Sequence, residues 1–144
     1  MRQEFSPHVQ QALSLARTEA ERLGNNYIGA EHLFLGLLDI SDCGAVRVLQ
    51  TLGVKIDRLR KEVESWTGPG KLRSQRDDFP ITPRTRMILK LAGAETKALS
   101  TSKRIVGTEH VLLGFVQEAD SLPARVLQEY GITVEPVRQI IVTS

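Results

Sequence analysis

Cysteine is almost missing from this chain: among 144 residues only Cys43 occurs, which excludes an internal disulfide and leaves no second cysteine for a metal site. Aromatic residues make up 5% and the net charge is only +2, so the basic, aromatic-studded surface of a nucleic-acid binder is not indicated. No stretch approaches the roughly 18 consecutive apolar residues that cross a bilayer. The opening Met1-Arg2-Gln3-Glu4 runs into an amphipathic pattern, without the apolar block of a signal peptide. A cytoplasmic location with no membrane and no nucleic-acid partner is expected. A glycine-rich run ending in Gly-Lys-Ser/Thr is also missing. The nearest sequence, Gly68-Pro69-Gly70-Lys71, has no preceding strand that would make it a phosphate loop. No ATP hydrolysis and no cofactor are therefore expected of this piece.

What is present is ordinary for a globular domain, with 41% hydrophobic and 25% charged residues, and the length suffices for a sizeable core. The most informative feature is a repeat. Gly29-Ala30-Glu31-His32-Leu33-Phe34-Leu35-Gly36 returns as Gly107-Thr108-Glu109-His110-Val111-Leu112-Leu113-Gly114, 78 positions on, and Arg47-Val48-Leu49-Gln50 returns as Arg125-Val126-Leu127-Gln128. Upstream the offset is 76, pairing Ser6-Pro7 with Thr82-Pro83, which places a two-residue insertion between Ser100 and Arg104. A period this long points to two small subdomains rather than to the rungs of a solenoid.

Each copy reads as four helices. Ser6-Pro7 and Thr82-Pro83 are hydroxyl caps followed by proline in the first turn. Val9, Ala12, Leu13, Ala16 and Ala20 recur at helical spacing, with Glu19, Glu21 and Arg22 pointing elsewhere. The nearly all-apolar second helix runs from Glu31 to Ile40, and from a Thr108 cap to Val116 in the second copy. Ala45 to Leu52 and the turn at Pro123 mark the third helices; Ile56 to Trp66 and Val134 to Ile141 mark the fourth. No segment alternates with a two-residue period, so the fold class is all-α: eight helices in two tandem four-helix repeats with pseudo-twofold symmetry. Residues 1–66 form the first repeat, 67–80 a breaker-rich linker carrying Lys71, Arg73 and Arg76, and 81–144 the second, together one compact domain. Phe34, Leu72, Phe79 and Trp66 are candidates for exposed contact area, though apolar residues at helical spacing mostly pack inward.

Tyr27 to Leu37, Ile105 to Gly114 and Thr82-Pro83-Arg84 closely resemble the double Clp N-terminal domain of the ClpC-type AAA+ unfoldases, over almost the whole chain from Phe5 to about Val142. The resemblance implies a domain that receives protein substrates and adaptor proteins for a Clp ATPase ring, in cis or as a free-standing regulator, and that is itself a monomer without catalysis. It also implies two pockets for phosphorylated arginine, by residue match Ser6 with Glu31 and Thr82 with Glu109. A helix amino terminus offers N–H donors to a phosphoryl group while a carboxylate accepts from guanidinium. The same residues equally read as a cap and a dipole partner. Asp42-Cys43-Gly44 and Asp120-Ser121-Leu122 stand where the family usually has an acidic, glycine-rich turn, so adaptor recognition is expected to differ. The rival from another class is a small hydrolase using Glu31, His32, Glu109 and His110. Each copy carries a single histidine at this motif, short of the two that a zinc-protease helix needs, so no metal is expected and His32 and His110 read as partners of buried backbone groups.

Overall fold

The computed structural model describes residues 4–67, 79–98 and 105–143. Most of the expected linker, with Leu72 and its three bases, lies outside these residues, as does the insertion. In order the elements are β1 (Glu4–Phe5), α1 (Pro7–Arg22), α2 (Ala30–Leu38), α3 (Gly44–Thr51), α4 (Ile56–Thr67), α5 (Pro83–Ala98), β2 (Ile105–Val106), α6 (Thr108–Gln117), α7 (Leu122–Glu129) and α8 (Val134–Thr143). All eight expected helices are there, four in each copy. The twofold relation shows in which helices touch: α1 packs on α2 as α5 does on α6, and across the halves α3 meets α6 as α7 meets α2, while α4 meets α7 as α8 meets α3.

The all-α reading omitted one detail. β1 and β2 pair in parallel, Glu4 with Ile105 and Phe5 with Val106, and an isolated parallel bridge joins Ile28 to Ile81. Two residues are too few to show an alternating pattern, so periodicity had nothing to detect. The pairing matters because it crosses the repeats: the residue leading into α1 hydrogen-bonds the segment leading into α6, Ser6 N–H to Val106 O at 2.9 Å. Ile28 N–H likewise donates to Pro80 O, and Thr82 N–H to Ile28 O.

The centre of the molecule is formed by α2 and α6. Phe34 of α2 and Phe115 of α6 are fully buried and meet edge to face at 5.1 Å between centroids, an arrangement the ring quadrupoles favour. Phe34 therefore belongs to the core; of the other contact candidates Phe79 is partly buried and Trp66 is 46% exposed. The alanine stripe of α1 lets α2 approach until backbones nearly touch. A β-carbon on Gly36 would lie 2.5 Å from the Ala12 carbonyl oxygen, and one on Gly114 would strike the carbonyl oxygen of Ile88.

Because the obstructing atoms are backbone, neither helix pair can relax around an added methyl. Gly36→Ala and Gly114→Ala should each lower unfolding stability by about 1–3 kcal/mol, read as a lower urea midpoint. Midpoints equal to the parent's would show that the helices do not meet there.

Candidate functional site

The repeated motif begins at a helix amino terminus in both copies. Gly29 and Gly107 are the N-cap residues of α2 and α6, and the histidine three positions on reaches back to them: Gly29 N–H donates to His32 Nδ1, and Gly107 N–H to His110 Nδ1, each at 2.9 Å. This is the reciprocal half of a capping box, made by imidazole instead of carboxylate. Since His32 Nδ1 accepts, the ring proton sits on Nε2 and is donated to Asn25 Oδ1 at 2.8 Å. Both nitrogens of His32 are thus committed, leaving none for a metal or for proton transfer. Burial holds its pKa down at about 4, so Glu31, 3.6 Å from Nδ1, faces a neutral ring.

Glu31 and Glu109 lie in the first turns of their helices. Each carboxylate folds back over its own N-cap glycine, close enough that a β-carbon there would strike it. Burial pushes the Glu31 carboxyl above its ordinary pKa, against its own backbone amide and the Arg84 guanidinium, which favour the charged form. Glu109 also leans on the next helix: a β-carbon on Gly44, at the start of α3, would lie 2.7 Å from Glu109 Oε1.

The structure crosses the pairs expected from residue matching. Glu31 shares a recess of about 490 Å³ with Thr82, Arg84 and Arg125, all from the second copy. Ser6 instead sits beside the second copy's motif, through its amide bond to Val106, while Glu109 opens on a recess of about 470 Å³ lined by Arg47, Thr51, Ile140 and Ile141. The physical reason is the parallel pairing, which lays the start of each first helix against the other copy. Both hydroxyls cap as expected: Val9 N–H donates to Ser6 Oγ and Thr85 N–H to Thr82 Oγ1, each at 3.2 Å. Thr85 Oγ1 spends its proton on Ile28 O, so in the 2.7 Å contact between the two hydroxyls Thr82 is the donor.

Thr108, expected as the cap of α6, is its first helical residue, and Gly107 takes the cap position. The Thr108 hydroxyl instead accepts the Ala45 N–H of α3 across the repeats at 3.0 Å. Cys43, the N-cap of α3, makes no side-chain cap bond. In the other copy every member of this arrangement changes together. Ser121 caps α7 itself through Ala124 N–H, Pro123 stands where Ala45 stood and has no N–H to satisfy, and Ala30 stands where Thr108 stood and has no hydroxyl.

Behind the histidines lies a charge pair that the periodicity assigned to the outer face. Glu19 is only 5% exposed and receives Arg22 Nη2 at 2.6 Å and Arg60 Nη2 at 2.9 Å. Burial opposes its ionisation, but the two arginine hydrogen bonds outweigh that and hold its pKa below the ordinary value. Asp39, 3.2 Å from Arg60, is pushed up to about 6 by burial and by its proximity to Glu19. The second copy repeats the pair as Glu95 with Arg138 at 2.6 Å and puts the neutral Gln117 where Asp39 stands. The signal was in the repeat: Glu19 and Arg60 recur as Glu95 and Arg138 at the two offsets of the duplication.

Residues 4–130 match the family described as the Clp repeat (R) N-terminal domain. The chain is 41% identical over 135 residues to the negative regulator of genetic competence ClpC/MecB of Bacillus subtilis, a match covering 94% of this chain and 16% of that protein. The chain thus spans about one sixth of the length of the curated relatives it matches. Among solved structures, the N-domain of ClpV from Vibrio cholerae superimposes with a TM-score of 0.76 at 19% identity, covering 97% of this chain and 86% of that one. A ClpV N-domain in complex with a VipB peptide gives 0.72 at 21%, covering 96% and 84%. Among the described residues no helix is long and apolar enough to cross a membrane.

The buried groups set a pH dependence whose parts oppose. His32, with its folded pKa of about 4 below the ordinary 6.5, contributes stability above pH 6.5 that is lost on acidification toward pH 4. Asp39, raised from 3.8 to about 6, acts the other way: its contribution is greatest below pH 3.8 and falls as pH rises to 6. Asp39→Asn should therefore be about 1–2 kcal/mol more stable than the parent at pH 7, after allowing for the exposed part of the side chain. The two proteins should converge near pH 4, the variant losing stability more steeply on the way. Superimposable thermal-unfolding profiles from pH 4 to 7.5 would refute the assignment.

Proposed function

The chain belongs to the Clp repeat N-terminal domain family, and from that membership and the geometry of its recesses we propose that it receives protein substrates and adaptor proteins for a Clp ATPase ring. The ring lies in the same polypeptide or in a separate chain, the two repeats act as one monomeric unit in the cytoplasm, and the chemistry belongs to the ring. Solved relatives support the binding role by analogy, since a ClpV N-domain has been captured with a VipB peptide.

The observation that carries the reading is the Glu31 recess. It brings together two carboxylates, Glu31 and Asp120, two guanidinium groups, Arg84 and Arg125, and the amino-terminal ends of α2 and α5. A ligand bearing both a phosphoryl group and a guanidinium finds a partner for each there: helix N–H groups and arginines for the first, a carboxylate for the second. Phosphorylated arginine on a client protein is such a ligand. Glu31 and Thr82 serve one recess; Glu109 with Ser6 nearby serves the other, where Arg47 is the arginine lining residue.

Calorimetric titration with free phosphoarginine tests this directly. The parent should bind at two sites, and Glu31→Ala and Glu109→Ala should each remove one while circular dichroism stays unchanged. Binding by both variants that matches the parent would refute the assignment. Absence of any association with a Clp ATPase ring or its adaptors in a pull-down would count against the broader role.

A further inference from the structure

A third recess lies away from both helix-terminus pockets, between the end of α2, α3 and the start of α4. Its volume is about 630 Å³. Leu38, Val46, Val54 and Ile56 form the floor, and Lys55, Arg58 and Lys61 stand on the rim, all three exposed. We propose that this groove docks an acidic, leucine-bearing segment of a partner protein, with apolar side chains on the floor and carboxylates on the rim.

The argument is that the rim works against the helix that carries it. The Lys55 carbonyl accepts the Leu59 N–H, so Lys55 occupies the cap position of α4 and Arg58 its first turn. Cations there oppose the helix dipole. Lys55, Arg58 and Lys61 also follow at three-residue steps, which sets like charges above one another on one face. None of the three forms an ion pair among the described residues, and Asp57, the one carboxylate lining the groove, leaves it net positive.

The duplicated copy shows what the same helix looks like without this demand. At the matching positions α8 keeps the apolar floor, with Val116, Ala124, Ile132 and Val134, but replaces the three cations with Thr133, Pro136 and Gln139. Threonine is a good cap, while the first-turn carboxylate is common to both helices, Asp57 in α4 and Glu135 in α8, so the difference lies in the three cations. Folding favours the second pattern; the first keeps its charges at a cost to α4. A floor of four apolar side chains beside the cations favours a peptide over a nucleic acid, whose phosphates need no such floor.

The test uses fluorescence anisotropy with a short labelled peptide alternating glutamate and leucine. The parent should bind it, more weakly at high salt. The combined variant Lys55→Thr, Arg58→Glu, Lys61→Gln should bind about tenfold or more weakly while its urea midpoint rises. The reciprocal variant Thr133→Lys, Pro136→Arg, Gln139→Lys should gain a second site at the cost of a lower midpoint. A peptide with serine for leucine should fail to bind. The proposal is overturned if the parent does not bind the peptide, if the first variant binds it as well as the parent, or if that variant is less stable. Tighter binding of a single-stranded DNA of equal charge would also overturn it. None of these outcomes depends on whether the Glu31 and Glu109 recesses hold phosphoarginine.

Discussion

Four helix amino termini meet in two pairs because the short segments ahead of α1 and α5 hydrogen-bond to the opposite repeat. The bond from Ser6 N–H to Val106 O and the bonds around Ile28, Pro80 and Thr82 involve few residues. They nonetheless decide which side chains share a recess. The recess of each glutamate draws on the other copy, Thr82, Arg84 and Arg125 for Glu31 and Arg47 and Thr51 for Glu109. Neither of these recesses is therefore complete until both repeats are folded together. The backbone contacts at Gly36 and Gly114 then hold each first helix rigidly against the motif helix it serves.

Much of this was legible in the residues. The repeated Gly-x-Glu-His unit, the capping hydroxyls and the apolar spacing located all eight helices, the bounds they gave lie within about two residues of those observed, and the histidines do satisfy buried backbone amides. What could not be read was which elements face one another, whether between the copies or within one. Thr108 looks like a cap for the helix it begins, and only the packing of α3 on α6 shows that its hydroxyl belongs to Ala45. Glu19 looks like a surface residue by its place on α1; its burial follows from Arg60, 41 positions away. A one-dimensional period records the face of a helix but not a charge pair that makes the polar face an inner one.

The two copies compensate for each other's differences at two places. Where Thr108 caps α3 across the repeats, the other side uses Ser121, Pro123 and Ala30 to reach the same satisfied state by a local route. Where Asp39 carries a charge against Glu19, Gln117 donates a neutral hydrogen bond to Glu95. In both cases the polar requirement is the same, since a buried amide or carboxylate left without a partner is costly, and only the donor or acceptor supplying it differs.

The edge-to-face contact of Phe34 and Phe115 has a genetic corollary. Matching positions in the two copies hold Leu112 and Leu37, so the twofold counterpart of the aromatic couple is a pair of leucine positions. A gene that joined two first copies would place phenylalanine against leucine on both sides, and two second copies would do the same. Either joining would remove the aromatic couple, so the two halves are not interchangeable at this contact.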